Sequence, residues 1–213
     1  MNVILLGYPG SGKGTQARVL SRKLGLLHVS TGDIFREELA KKTALGQEVA
    51  DYFSAGQLAP DWLVLDMLKH RLSSETRGLL FDGFPCTVEQ AEGLDEWFTS
   101  RSMTLDAVIF LNLPEAEVAR RLGDRRICVK CGTIYNLHIA TPTLENACDS
   151  CGGALTIRGD DKPEVIKKRI MVYKDQTEPL VSYYKGNSFF SEVKADQPPQ
   201  VITEKILSLL KAG

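Results

Sequence analysis

Short apolar runs recur along the chain, separated by longer stretches in which apolar residues return every three or four positions. The runs are Val3–Leu6, Leu27–Val29, Leu79–Phe81, Val108–Leu113 and Phe189–Val193. Runs this short, bounded by turn residues, predict buried strands. The longer stretches Gly14–Leu24, Trp62–Leu72, Val88–Phe98, Pro114–Leu122, Pro163–Tyr184 and Pro199–Leu210 predict amphipathic helices. Pro114 and Pro163 stand at helix starts, where the missing N–H has no intrahelical partner to lose. Strands that alternate with helices imply a parallel sheet covered on both faces, an α/β fold. Two stretches break the alternation. Residues 30–59 are helical without a strand, and residues 124–161 are rich in Cys, Gly and Thr. Insertions beside the strand ends of an open sheet are where ligands bind, so both are predicted to close over a substrate. The expected division is a core of 1–29, 60–123 and 162–213, with 30–59 and 124–161 as separate lobes.

The first turn of this pattern carries the sharpest chemistry. Gly7-x-x-x-x-Gly12-Lys13-Gly14-Thr15 lies between an apolar strand and a helix, which is the setting of a phosphate-binding loop. Glycines let backbone N–H groups turn toward phosphate oxygens, the helix adds its positive end, and Lys13 adds a full charge. Gly10, Ser11, Gly12, Lys13, Gly14 and Thr15 are therefore the expected donor-phosphate residues. The general pattern has Ser or Thr directly after the Lys; here Gly14 intervenes. Asp82, at the end of the strand Leu79–Phe81, is placed to hold magnesium through water.

Composition narrows the partners. The chain has 213 residues, 43% hydrophobic and 25% charged, with a net charge of −1. That balance suits one globular α/β core with insertions and gives no reason to expect nucleic-acid or membrane binding. The absence of a long apolar stretch or signal-peptide pattern leads to the expectation of a cytoplasmic protein. Of five cysteines, four form two Cys-x-x-Cys pairs, Cys128/Cys131 and Cys148/Cys151, separated by sixteen residues and each followed by Gly. This is zinc spacing, with a structural role, because so short a segment needs a metal to fold. A zinc-dependent nucleic-acid binder would show basic and aromatic interleaving around the pairs, which is missing.

The remaining candidates cluster on the two insertions. Thr31, in Ser30-Thr31-Gly32-Asp33, can cap the helix that carries Arg36. Gly83 and Pro85 shape a loop after Asp82, and Gln90 offers the donors and acceptors that base recognition requires. Arg121 and Arg125 precede the Cys-rich lobe; Arg158 and Arg169 follow it. Phosphoryl transfer leaves the protein little covalent work and needs cations around three phosphate oxygens, which gives these arginines a purpose beyond a solvated helix face.

GYPGSGKGTQ, STGDIFR, DGFP and the paired arginines resemble adenylate kinase of the long-lid bacterial type, from Met1 to the last helix. The resemblance implies a P-loop NTPase-type five-stranded parallel sheet flanked by helices, a helical nucleoside-monophosphate-binding insertion at 30–59, and a zinc-ribbon-like lid at 124–161. It implies reversible phosphoryl transfer from ATP to AMP, giving two ADP, with magnesium on the nucleotide and zinc in the lid, by a monomer. It further implies that Thr31, Arg36, Gln57, Leu58, Ala59, Gly83, Phe84, Pro85, Cys86 and Gln90 contact AMP. Lys13, Asp82, Arg121, Arg125, Arg158 and Arg169 are the implied catalytic groups, Arg125 toward ATP and Arg158 and Arg169 nearer the acceptor. Ile134 and Tyr135 would line the ATP base. A carbonyl near Gln197 would contact adenine, although the loop Lys194–Pro199 departs from the family pattern. Asp160 and Asp161 would pair with lid arginines.

One residue departs at the acceptor. The family carries Arg after DGFP, where this chain has Cys86. Losing a charge-assisted contact to the acceptor phosphate predicts weaker AMP binding or slower turnover. The alternatives are a pyrimidine nucleoside monophosphate kinase, or a nucleotide-binding protein in which Cys86 has impaired catalysis.

Overall fold

The computed structural model describes residues 1–212. In chain order its elements are β1 (Val3–Leu6), α1 (Lys13–Leu24), β2 (Leu27–Ser30), α2 (Thr31–Lys41), α3 (Ala44–Ala55), α4 (Asp61–Arg71), β3 (Leu79–Asp82), α5 (Val88–Ser100), β4 (Ala107–Asn112) and α6 (Glu115–Gly123). There follow β5 (Arg125–Cys128), β6 (Ile134–Asn136), β7 (Leu155–Thr156), α7 (Pro163–Val172), α8 (Pro179–Lys185), β8 (Phe190–Lys194) and α9 (Pro199–Ala212).

β1 sits at the centre of a parallel sheet of order β2-β3-β1-β4-β8. Its four residues are all buried, and they alternate between the two faces. Ile4 and Leu6 join a core with Val64, Leu68, Leu94, Phe98 and Leu180, from helices α4, α5 and α8. Val3 and Leu5 join a second core with Ala17, Leu20, Val118, Leu122 and Ile206, from α1, α6 and α9. A strand apolar on both faces has to be covered on both, which accounts for the layers. The register sets Leu5 opposite Asp82, so the loop after β1 and the acid ending β3 emerge side by side.

The two irregular stretches build the two lobes. Residues 30–59 contain α2 and α3, and residues 124–161 contain the antiparallel sheet β6-β5-β7. The helix predicted over Pro163–Tyr184 is interrupted. A π turn at Tyr173–Thr177 separates α7 from α8, with Glu178 N donating to Tyr173 O at 2.8 Å. Pro179 explains the break: it lacks an N–H, and its ring crowds the carbonyl one turn back, so the ladder widens before it. The cap of α2 also differs from expectation. Ser30 Oγ, not Thr31, accepts from Asp33 N, while the Thr31 hydroxyl donates to Gly83 O at 2.7 Å. Among the described residues no helix is long and apolar enough to cross a membrane.

Candidate active site

Between the sheet's carboxyl ends and the two lobes lies a cavity of about 390 Å3. Its floor is the phosphate loop, where Gly12 adopts φ 97° and opens α1 from the left-handed region that glycine enters without strain. Gly10, Ser11, Gly12, Lys13, Gly14 and Thr15 all line the cavity. Lys13 Nζ donates to the carbonyls of Gly7 at 2.7 Å and Tyr8 at 2.9 Å. Burial lowers its pKa to about 8, opposed mainly by the Asp82 carboxylate. Ser11 Oγ is buried and has no partner among the described residues.

Asp82 accepts from His28 Nε2 at 3.3 Å, a contact with no signal in the sequence beyond a His in β2. A Cβ on residue 14 would stand 3.2 Å from Asp82 Oδ2. Gly14 thus keeps open the room beside the carboxylate, and room beside an acid at a strand end fits a hydrated magnesium ion.

The four arginines are brought together. Arg121, Arg125, Arg158 and Arg169 all face the cavity. Arg121 Nε is buried without a partner among the described residues. The other three are held by two acids at the far end of the Cys-rich lobe. Arg125 forms a fork on Asp161 at 2.7 and 2.6 Å, and Arg158 a fork on Asp160 at 3.0 and 2.9 Å. Arg169 reaches Asp161 at 2.9 Å and Asp160 Oδ2 at 3.1 Å. Burial alone would raise the Asp160 carboxyl, but Arg158 and Arg169 hold it down at about 2. Burial and neighbouring cations lower Arg158 to about 10, so it keeps its charge at neutral pH. Three guanidinium groups share two carboxylates, which leaves the cluster cationic toward the cavity.

The acceptor side is more mixed. Thr31, Arg36, Gln57, Leu58, Ala59, Gly83, Pro85, Cys86 and Gln90 line the same cavity. Arg36 pairs with Asp33 and lies over the Phe53 ring, 5.7 Å from its centroid. Phe84 is the correction. It is 1% exposed and packs on Phe81 at 5.6 Å, so its ring belongs to the core and only the surrounding backbone can reach a ligand. Gln90 is buried rather than free: Nε2 donates to Asp61 at 2.8 Å, and Oε1 accepts from Cys86 N at 2.8 Å. It retains one N–H and one lone pair. Cys86 Sγ donates to Gly83 O at 3.1 Å, and burial pushes the thiol up to about 11, so no charge stands at this position near neutrality.

In the lid, Ile134 and Tyr135 border the cavity. The Tyr135 hydroxyl nevertheless faces inward, 3.4 Å from Cys148 Sγ, and accepts from Asp149 N at 2.8 Å. Its ring is part of the lid's own small core, with Cys128 and Cys148. Gln197 borders the cavity from the loop after β8. The sulfurs of Cys128, Cys131, Cys148 and Cys151 lie within 4.8 Å of one another. Four thiolates about 2.3 Å from a tetrahedral zinc ion would stand roughly 3.8 Å apart, so the set fits zinc. Two residues the sequence reading missed also line the cavity: Arg18 on α1, and Tyr173, whose ring lies 3.9 Å from that of Tyr8.

Comparisons with known proteins agree with this arrangement. The family model described as adenylate kinase matches residues 5–189. The adenylate kinase of Clostridium tetani is 43% identical over 214 residues, covering 100% of this chain and 99% of that protein. The adenylate kinase of Archaeoglobus fulgidus is 43% identical over 213 residues, covering 99% and 98% respectively. That of Pseudothermotoga lettingae is 44% identical over 213 residues, with the same coverage. With its five-stranded parallel sheet, its phosphate loop and a match along its whole length, the chain belongs to the adenylate kinase family.

Proposed function

We infer that the chain transfers the γ-phosphoryl group of ATP to AMP, reversibly, and forms two molecules of ADP. The observation that carries this reading is the convergence of Lys13, Arg121, Arg125, Arg158 and Arg169 on one cavity bordered by both insertions. Binding alone needs fewer cations. Transfer disperses charge over three equatorial oxygens, and preplaced cations stabilise it without reorganising.

In this reading the phosphate loop and Lys13 hold the donor phosphates, with Arg121 and Arg125 above them. Arg36, Arg158 and Arg169 gather the acceptor phosphate. Thr31, the Gln57–Ala59 segment, Gly83, Pro85 and Gln90 position the acceptor nucleoside, while Ile134, Tyr135 and the Gln197 loop border the donor base. Magnesium, bound beside Asp82 through water, supplies charge neutralisation on the donor phosphates. The acceptor phosphate is already ionised at neutral pH, so no side chain has to remove a proton. Residues 30–59 and 124–161 act as lobes on the core formed by 1–29, 60–123 and 162–213, and their closure keeps water from accepting the phosphoryl group. Zinc on the four cysteines braces the lid. The protein works as a cytoplasmic monomer.

The test measures ADP formation from ATP with AMP, CMP, UMP and GMP as acceptors. AMP is expected to be strongly preferred; a preference for CMP or UMP would make the chain a pyrimidine nucleotide kinase. Cys86→Arg is measured in parallel. Restoring one charge-assisted contact is expected to raise kcat/KM for AMP roughly ten- to a hundredfold. Equal values for the two proteins would mean that the other arginines already satisfy the acceptor phosphate.

A further inference from the structure

Arg18 has no part in the reading above. It lies on α1, five residues beyond Lys13, and borders the cavity. Its guanidinium crosses to the lid: Nη2 donates to Gly132 O at 3.0 Å, over a separation of 114 residues. Gly132 directly follows Cys131. Its own N–H donates to Cys128 O at 3.0 Å and closes the turn that brings the first two thiols together. φ at Gly132 is 69°, so the carbonyl that Arg18 meets is aimed by a left-handed turn natural to glycine. The acceptor lobe feels the same charge. Burial would raise the Asp33 carboxyl, yet Arg36 first, and then Arg18, hold it below the usual carboxylate range. The other hydrogen bonds between lid and core among the described residues cluster where the lid joins the core: Asn136 Nδ2 to Arg121 O at 3.1 Å, Arg126 Nη1 to Gly123 O and Asp124 N to Arg120 O at 3.0 Å each, and Arg169 to Asp160 and Asp161. Those can persist while the lid swings. The Arg18 contact forms only when the Cys128–Cys131 turn rests on the helix of the phosphate loop.

We propose that Arg18 is a positioning residue that clasps the closed lid through the Cys128–Cys131 turn, and so couples metal occupancy of the lid to retention of the donor nucleotide. The coupling follows because the clasp grips a carbonyl whose direction the metal-bound turn sets. By reciprocity, a clasp that favours the metal-ordered turn must also tighten metal binding when the lid is closed, and slower release to a competing chelator is the expected sign of it. The inference rests on the kinase reading for its substrate, ATP, but not for its second measurement.

The experiment compares the zinc-loaded protein with Arg18→Met and Arg18→Lys. In steady-state assays, Arg18→Met is expected to raise KM for ATP roughly tenfold, as loss of one charge-assisted hydrogen bond predicts, while kcat falls less. Arg18→Lys keeps a single donor and is expected to fall between Met and Arg. Zinc release to a chromogenic chelator is then timed with and without a non-hydrolysable ATP analogue. The analogue is expected to slow release from the parent and to have little effect on Arg18→Met, whose release without nucleotide matches the parent's. Unchanged KM with unchanged protection by the analogue would overturn the proposal. So would faster release from Arg18→Met in the absence of nucleotide, since Arg18 would then merely support the lid fold. A parent that forms no ADP yet keeps analogue-dependent protection would defeat the kinase reading and leave the clasp standing.

Discussion

Lys13 and Gly14 show how single residues set the working conditions of this site. Lys13 titrates at about 8 because burial disfavours its charge more than Asp82 supports it. A group whose folded pKa lies below its unfolded value loses its proton first in the folded state. Its contribution to stability therefore increases as pH rises from about 8 toward 10.5. Activity should move the opposite way, because the phosphates need the charge. A pH profile of kcat/KM for ATP, which reports the free enzyme, is expected to decline above pH about 8 while thermal stability does not fall in step. A flat profile to pH 10 would remove Lys13 from the role assigned to it. Gly14 gives a second separation of stability from function. Gly14→Ala adds a better helix former near the start of α1, worth up to about 1 kcal/mol. Its new methyl would stand 3.2 Å from Asp82 Oδ2. Melting temperature is expected to hold or rise while the magnesium concentration needed for half-maximal rate increases.

The segment from the short 3-10 turn at Gly159–Asp161 into α7 is where acid chemistry and helix geometry meet. Asp161 has a fully buried side chain that accepts from Arg125 and Arg169. Asp161→Asn would leave three guanidinium groups, those of Arg125, Arg158 and Arg169, around the single carboxylate of Asp160. Breaking a buried pair typically costs about 3–5 kcal/mol, so a fall of that order in unfolding free energy by urea titration is the expected result. Asp160 adds a pH dependence. Its folded carboxyl sits at about 2, below its unfolded value of 3.8. The stability it contributes is present above pH 4 and is lost as pH falls through 2, at about 2 kcal/mol for the whole step. Acid unfolding of Asp160→Asn is expected to begin from a lower stability and to show a shallower slope between pH 4 and 2. The same segment illustrates what local sequence can say. Pro163 marked the start of α7 and Pro179 was visible in the chain, yet an unbroken periodicity hid the π turn between them.

The molecule as a whole divides its stability between a sheet with two apolar faces and a lid whose buried hydrophobic cluster is only Cys128, Tyr135 and Cys148. Removing metal with a chelator is therefore expected to unfold the lid and spare the core. Limited proteolysis should cut within residues 124–161 first, while far-UV circular dichroism keeps most of its helical signal. Cutting spread evenly along the chain would mean that lid and core fold as one unit. The order of strands and helices, the phosphate loop and the four-cysteine site could all be read from the chain, because each rests on neighbours a few positions apart: apolar period, glycine placement, paired thiols. The Arg–Asp cluster was legible too, through residues close to the lid's second end. Side-chain direction was not. Phe84 turns into the core, Tyr135 turns onto Cys148, and Gln90 is bound to Asp61, all from positions adjoining the cavity. Arg18 meets Gly132 only because folding brings α1 beneath the lid. Local spacing dictates which backbone is formed, whereas the direction in which a side chain points depends on which distant surface packs against it, and that surface exists only in the folded chain.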